Sequence, residues 1–149
     1  FKKGDKLILL GLSIPFNKSL EGHSDADVGY HTIVDAILGA LSMGDIGEHF
    51  PPTDNKWKNK DSSFFMVFAR DLLKKKCYQI NNLDITLICE EPKIIDFKSN
   101  MIKNVSKILK IRKELINIKA TTTEKLGFLG RKEGIACQTN VTISKTYES

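Results

Sequence analysis

The stretch His23-Ser24-Asp25-Ala26-Asp27-Val28-Gly29-Tyr30-His31 places two histidines and two carboxylates at the start of the longest apolar helix the sequence predicts. Ser24 followed by Asp27 has capping-box spacing, with Asp where Glu or Gln is commoner, and Asp25 is equally able to act as the cap. From Val28 onward Ile33, Val34, Ile37, Leu38 and Leu41 recur at helical spacing, which predicts a helix to about Met43 with one buried stripe. Asp27, His31 and Asp35 fall four apart on one face, where a carboxylate can fix the imidazole tautomer that a metal requires. A His-Asp pair on a helix is more often a structural hydrogen bond, so the surrounding sequence has to decide.

Toward the N-terminus, Lys6 to Leu12 forms an apolar strand candidate, and Ser13-Ile14-Pro15 is expected to turn the chain. In the other direction Gly44 ends the helix, so that Asp45 is presented from a turn. Pro51 and Pro52 keep the next segment, with His49, out of helix. Asp61-Ser62-Ser63 starts a second helix running to about Lys76, with its phenylalanines in the core. A strand over Leu83–Cys89, a loop at Glu90-Glu91-Pro92-Lys93, a helix from about Phe97 to Leu109, and strands near Ile116–Ala120 and Ile135–Ser144 complete the chain. The expected architecture is α+β: one domain over residues 1–149, with a four-stranded mixed sheet and the helices packed on one face. The stripe Ile135, Cys137, Thr139, Val141, Ile143 is expected to lie on the uncovered face, where self-association would bury it.

With 149 residues and 41% hydrophobic composition the chain can fold around its own core, without metal or disulfide staples. Cys77, Cys89 and Cys137 are odd in number and form no CxxC pair, which argues against a disulfide framework and a thiolate zinc finger and favours a reducing compartment. No apolar run approaches a membrane span. The net charge of +5 comes mostly from dispersed lysines in a chain also rich in Ile and Asn, a bias that nucleotide composition can produce. Without a recognisable binding platform it does not indicate nucleic acid, although attraction of phosphate at a small site stays open.

The second informative stretch is Thr121-Thr122-Thr123-Glu124-Lys125-Leu126-Gly127-Phe128 at the end of a predicted strand. Hydroxyls and backbone N–H groups there can bind phosphate oxygens while the carboxylate holds a divalent cation; a threonine cluster that caps a helix is the competing interpretation. The glycines from Gly127 to Gly134 are not followed by Lys-Ser or Lys-Thr, so this is not a P-loop.

Taken in order, His23-Ser24-Asp25-Ala26-Asp27-Val28 with His31, Asp45-Ile46-Gly47, Phe50-Pro51, Asp61-Ser62, Glu91-Pro92-Lys93, and Ala120 to Phe128 with Gly130-Arg131 and Glu133-Gly134-Ile135-Ala136-Cys137 closely resemble the cyclodiphosphate synthases of the non-mevalonate isoprenoid pathway. The resemblance covers nearly the whole chain. It implies a homotrimer with sites between subunits, which closes 4-diphosphocytidyl-2-C-methyl-D-erythritol 2-phosphate into the 2,4-cyclodiphosphate with release of CMP. It implies Zn2+ at His31 and Mg2+ or Mn2+ at Glu124. His23 and Thr122 would be catalytic, with Ser24 beside the transferred phosphate. Asp45, Ile46 and Gly47 would hold the methylerythritol portion, Cys89, Pro92 and Lys93 would wall the cytosine, and Thr121 and Thr123 would flank the diphosphate. Phe128 and Arg131 would lie near an inter-subunit channel.

The family's other zinc ligands come from an Asp-x-His motif ahead of the first strand, a motif the given chain does not contain, so its N-terminal strand and metal loop are expected to be incomplete. Three positions depart from the family pattern: Pro52 for an acidic residue, Ala26 for glycine and Gln138 for glutamate. A non-catalytic oligomeric nucleotide- or phosphate-binding protein and a metal-dependent nucleotide hydrolase are the alternatives. The expected location is a plastid-like organelle such as the apicoplast in a eukaryote, or the cytoplasm of a bacterium.

Overall fold

The computed structural model describes residues 1–4, 6–16, 18–19, 27–51, 53–54, 56 and 60–146. The chain begins with short strands β1 (Lys2–Lys3), β2 (Lys6–Leu9), β3 (Leu12–Pro15) and β4 (Lys18–Ser19), followed by helices α1 (Val28–Ala40), α2 (Ile46–His49) and α3 (Ser62–Lys75). Then come β5 (Tyr78–Ile88), α4 (Lys98–Leu109), β6 (Ile116–Thr121), α5 (Gly127–Gly130) and β7 (Ala136–Lys145). The main sheet is mixed, in the order β6-β5-β7, with β6 parallel and β7 antiparallel to β5. It has three strands where four are expected. The missing strand is β2, which pairs with β3 in a separate two-stranded sheet, as β1 does with β4.

The reason is a turn inside the stretch expected to be one strand. Leu9 pairs with Leu12, leaving Leu10 and Gly11 as a two-residue connection, both at positive φ (49° and 74°). Two left-handed residues give a type I′ turn, whose twist suits a tight hairpin and which usually carries Asn-Gly. Leu occupies the first position because its side chain is fully buried and its N–H is held from outside the hairpin. Gly11 is required by close approach as well as by φ, since a Cβ there would lie 2.3 Å from Tyr30 Oη.

The outside support is Asp27. It is the N-cap of α1, in place of Ser24 or Asp25, and its side chain is fully buried. Oδ1 accepts from Tyr30 N at 3.0 Å and from Leu10 N at 2.9 Å, and Oδ2 accepts from Gly11 N at 2.7 Å. The other side of the turn is held by Asn104 of α4, whose Nδ2 donates to Leu10 O at 3.2 Å. α1 ends three residues earlier than expected. Met43 N bonds Leu38 O, Ser42 N bonds Gly39 O and Ser42 adopts φ 56°, a Schellman ending on serine rather than on Gly44. Asp45 is then not a free turn residue but the cap of α2, accepting from Glu48 N at 3.0 Å.

One face of the main sheet carries Leu83, Ile85 and Leu87 of β5, Ile116 and Ile118 of β6, and Val141, Thr139 and Cys137 of β7 in register. Helices α1, α3 and α4 cover it: Thr32 Oγ1 donates to Cys137 O, and Arg70 Nη1 of α3 donates to Ile108 O of α4. The stripe containing Cys137 and Val141 therefore packs, partly buried, on the core side of the sheet rather than on the uncovered face where it is expected. The opposite face is polar. Asp84 bridges Lys119 at 2.8 Å and accepts from Asn117 Nδ2 at 3.0 Å, and these hydrogen bonds, Lys119's first, hold its carboxyl below the ordinary value.

Asp27→Ala would strand buried N–H groups of the hairpin and remove the cap of α1. A loss of about 3 kcal/mol is expected in urea denaturation; a loss under about 1 kcal/mol would show that the hairpin does not depend on this carboxylate.

Candidate active site

The adjacent parallel strands β5 and β6 end together, with Ile88 opposite Thr121, and the chain leaves both into a small cavity. Its volume is about 190 Å³, and its walls include Cys89, Pro92 and Lys93 on one side and Thr121 and Thr122 on the other. Cys89 N donates to Thr121 O at 3.1 Å, fixing the spacing of the two walls. Burial, assisted by the neighbouring charge of Glu90 and partly offset by Lys93, pushes the Cys89 thiol up. This favours the neutral thiol over the thiolate that nucleophilic chemistry needs.

Beyond Thr122 the chain makes a second tight turn. Leu126 N bonds Thr123 O at 3.1 Å across Glu124 and Lys125, which have φ 54° and 67°. This is again the positive-φ pair of a type I′ turn, here without glycine, and two such residues cost roughly 2 kcal/mol. Thr122 Oγ1 accepts from Glu124 N at 3.1 Å, and Thr123 Oγ1 donates to Leu126 O at 2.6 Å. The turn also rests on Gly130, where a Cβ would lie 2.1 Å from the Lys125 carbonyl carbon. Two contacts cross to the Cys89–Ile95 loop: Lys125 N donates to Glu90 Oε1 at 2.9 Å, and Lys132 Nζ donates to Glu91 Oε1 at 2.9 Å. Strain of this kind persists only where the surroundings hold it, and it concentrates at functional positions. Here it presents Glu124, an exposed carboxylate, beside the threonines.

A second group lies at the other edge of the sheet, where α1 packs on β7. His31 sits edge-on to Phe65 with ring centroids 6.1 Å apart, and its Nε2 is buried. Asp27 is turned to the hairpin, and Asp35 Oδ1 accepts from Ile46 N at 2.8 Å. Asp45, Ile46 and Gly47 follow in α2. His23 and Ser24 lie outside the described residues. α1 flanks β7 and the threonine turn follows β6, with β5 between these two strands.

Arg131 is turned to Glu133, with Nε 2.6 Å from Oε1, and this bond raises the guanidinium pKa further. Phe128 is exposed and borders Gly134. No three His, Cys, Asp or Glu side chains converge as a metal site among the described residues. They do not by themselves fit zinc, which takes four ligands. Glu124 does fit magnesium, which binds through one or two carboxylates together with substrate phosphates and water. Glu90 and Glu91 lie inside the Cys89–Lys93 stretch expected to wall the base, but their contacts to Lys125 and Lys132, 35 and 41 residues away, have no local signal in the sequence.

A profile of the YgbB family matches residues 1–144. The chain belongs to the YgbB family. It is 56% identical over 132 residues to the 2-C-methyl-D-erythritol 2,4-cyclodiphosphate synthase of Clostridium kluyveri, covering 89% of this chain and 80% of that one. It is 53% identical over 139 residues to the bifunctional enzyme IspD/IspF of Wolbachia pipientis wMel, covering 93% of this chain and 35% of that one. The chain thus spans about a third of the length of the bifunctional relatives it matches. A solved structure of IspF from Plasmodium falciparum in complex with CDP superposes with a TM-score of 0.85 at 42% identity, over 95% of this chain and 85% of that one. The fold of this YgbB family member is accordingly the one seen in that structure.

The thiols give a direct check of the geometry. Cys77 is exposed, whereas burial, first, and the charge of Asp27, second, push Cys137 up to about 12. In native protein at pH 8 a thiol reagent is expected to label Cys77 alone, with Cys89 and Cys137 released only on unfolding. A folded value above the unfolded one of 9.0 means that the Cys137 contribution to stability is fully present below pH 9 and is lost toward about 12. Cys137→Ser should flatten the alkaline decline in melting temperature.

Proposed function

We propose that the chain catalyses cyclisation of 4-diphosphocytidyl-2-C-methyl-D-erythritol 2-phosphate to 2-C-methyl-D-erythritol 2,4-cyclodiphosphate with release of CMP. The observation that carries this is the cavity in which the wall Cys89, Pro92, Lys93 meets Thr121 and Thr122 at the ends of β5 and β6, in a member of the YgbB family. In the reaction an oxygen of the 2-phosphate attacks the phosphorus on the erythritol side of the diphosphate. The bond from that phosphorus to the bridging oxygen breaks, and CMP leaves with the electron pair. No protein nucleophile is required, so catalysis consists of folding the substrate back on itself and compensating phosphate charge.

In this proposal the Cys89–Lys93 wall takes the cytosine, with its neutral thiol and apolar surface suited to a base. Thr121, Thr122 and Thr123, with the adjacent backbone, orient the diphosphate. Glu124 holds Mg2+ or Mn2+, which when bound supplies positive charge between the phosphates. Asp45, Ile46 and Gly47 bind the methylerythritol hydroxyls, and His23 and Ser24 approach the transferred phosphate. His31 is proposed as one zinc ligand, and no step is routed through zinc.

The histidine helix flanks β7 and the threonine turn follows β6, and in the proposed assembly, a homotrimer as the family resemblance implies, neighbouring subunits complete each site. The exposure of Ile95 (74%), which lines the cavity, and of Leu126 (72%) and Phe128 (53%), which flank Gly127 just after the threonine turn, supports this, because a neighbouring subunit would cover such side chains. Sedimentation equilibrium is expected to give a mass three times that of one chain.

Phosphorus NMR of the reaction with magnesium separates the alternatives: a cyclic diphosphate plus CMP is expected, whereas a linear product would make the protein a hydrolase and binding without products a non-catalytic one. Glu124→Gln should lower magnesium-dependent turnover about 100-fold; unchanged CMP release across a magnesium titration would remove Glu124 from the metal site. His31→Ala should lower the zinc content of the full-length protein after dialysis, and retained stoichiometric zinc would mean that the ligand lies elsewhere.

A further inference from the structure

We propose that Glu90 is a positioning residue for this reaction: its carboxylate fixes the Thr123–Leu126 turn, and with it Glu124, against the wall that takes the nucleotide base. The inference rests on the activity proposed above. Its structural basis is that the turn satisfies most of its own polar groups but not Lys125 N–H. Leu126 N is used within the turn, and Glu124 N goes to Thr122 Oγ1. Lys125 N instead reaches across 35 residues of sequence to Glu90 Oε1 at 2.9 Å. That bond holds the second of two consecutive left-handed non-glycine residues, the position at which the turn would relax first.

Glu90 itself lines the same cavity as Thr121 and Thr122, one residue after Cys89. One side chain therefore joins the segment proposed to hold the base to the segment proposed to hold the diphosphate and its cation. Because the acceptor atom, rather than the charge, makes the bond, glutamine can replace it. The neighbouring Lys132–Glu91 pair connects the same two segments through side-chain atoms and is half exposed at both ends, 52% and 46%. Exposed pairs of this kind contribute little. It serves as the internal control.

The test compares Glu90→Ala, Glu90→Gln and Lys132→Ala in the full-length protein by two measurements. The first is hydrogen exchange at the Lys125 amide, which reads the bond without any turnover. The second is the magnesium concentration giving half-maximal CMP release. Glu90→Ala is expected to speed exchange at Lys125 and to raise the magnesium requirement about 10-fold, the scale seen when a support of a metal-binding residue is lost. Glu90→Gln should restore both, and Lys132→Ala should change neither. The proposal is overturned by unchanged exchange in Glu90→Ala, by failure of Glu90→Gln to rescue, or by a large fall in melting temperature, which would make Glu90 a general structural support. If the wild-type protein forms no cyclic product, the reaction is misassigned, and the exchange data still decide whether Glu90 holds the turn.

Discussion

Asp27 sits where the hairpin and the first long helix meet, and its buried carboxylate accepts from the backbones of both. A buried carboxylate is tolerated only when hydrogen bonds replace its hydration, and three N–H donors from two segments 16 or 17 residues distant and three residues distant supply them. The arrangement is reciprocal. The helix start provides an acceptor for a strained Leu10–Gly11 turn, and the turn provides the donors that make the buried acceptor tolerable. Gly29 belongs to the same contact, since a Cβ there would lie 2.5 Å from Leu10 Cδ2. Once this junction is set, Leu10 enters the core, Tyr30 lies over Gly11, and Asn104 draws α4 to the same turn.

How far these relations can be read from the sequence depends on whether their signal is local. The apolar stripe of α1, the Asp61 start of α3 and the strand at Ile116 follow from spacing and caps, and each appears close to its expected place. The β2–β3 hairpin does not, because its turn carries Leu-Gly rather than Asn-Gly and is supported by a residue at a distance. The ending of α1 on Ser42 fails for a related reason: two glycines nearby advertise the wrong position. On β7 the alternation is visible, but alternation cannot say which face meets the helices. Pairing of Cys137 with Leu87 and of Val141 with Leu83 decides that.

The site divides in the same way. That Thr121 to Glu124 stand at a strand end is legible from the apolar run before them, whereas the use of the Thr122 and Thr123 hydroxyls within the turn is not. That Cys89, Pro92 and Lys93 face them follows from parallel pairing of β5 with β6, in which Ile88 and Thr121 end level. The bonds that brace the threonine turn from Glu90 are invisible in sequence, since nothing local distinguishes that glutamate from the next one. That His31's helix flanks β7 while the turn follows β6 is likewise a property of strand order, with β5 between the two.

The two type I′ turns show how differently the same backbone strain can be held. At Leu10–Gly11 the supporting carboxylate and the leucine side chain are both fully buried, so opening the turn would expose core and take two donors from a buried carboxylate. At Glu124–Lys125 the supporting bond is exposed, no core side chain enters the turn, and the largest neighbouring apolar groups, Leu126 and Phe128, face outward. Opening there costs little more than the bonds themselves. The first turn therefore belongs to the global stability of the domain, whereas the second forms a local unit of much lower stability. A carboxylate placed on such a unit, as Glu124 is, gains rigidity from whatever closes over it. The fold in this way fixes where the Thr121–Glu124 segment begins at the end of β6, and leaves the ordering of its turn to the few bonds that cross to the Cys89–Ile95 loop.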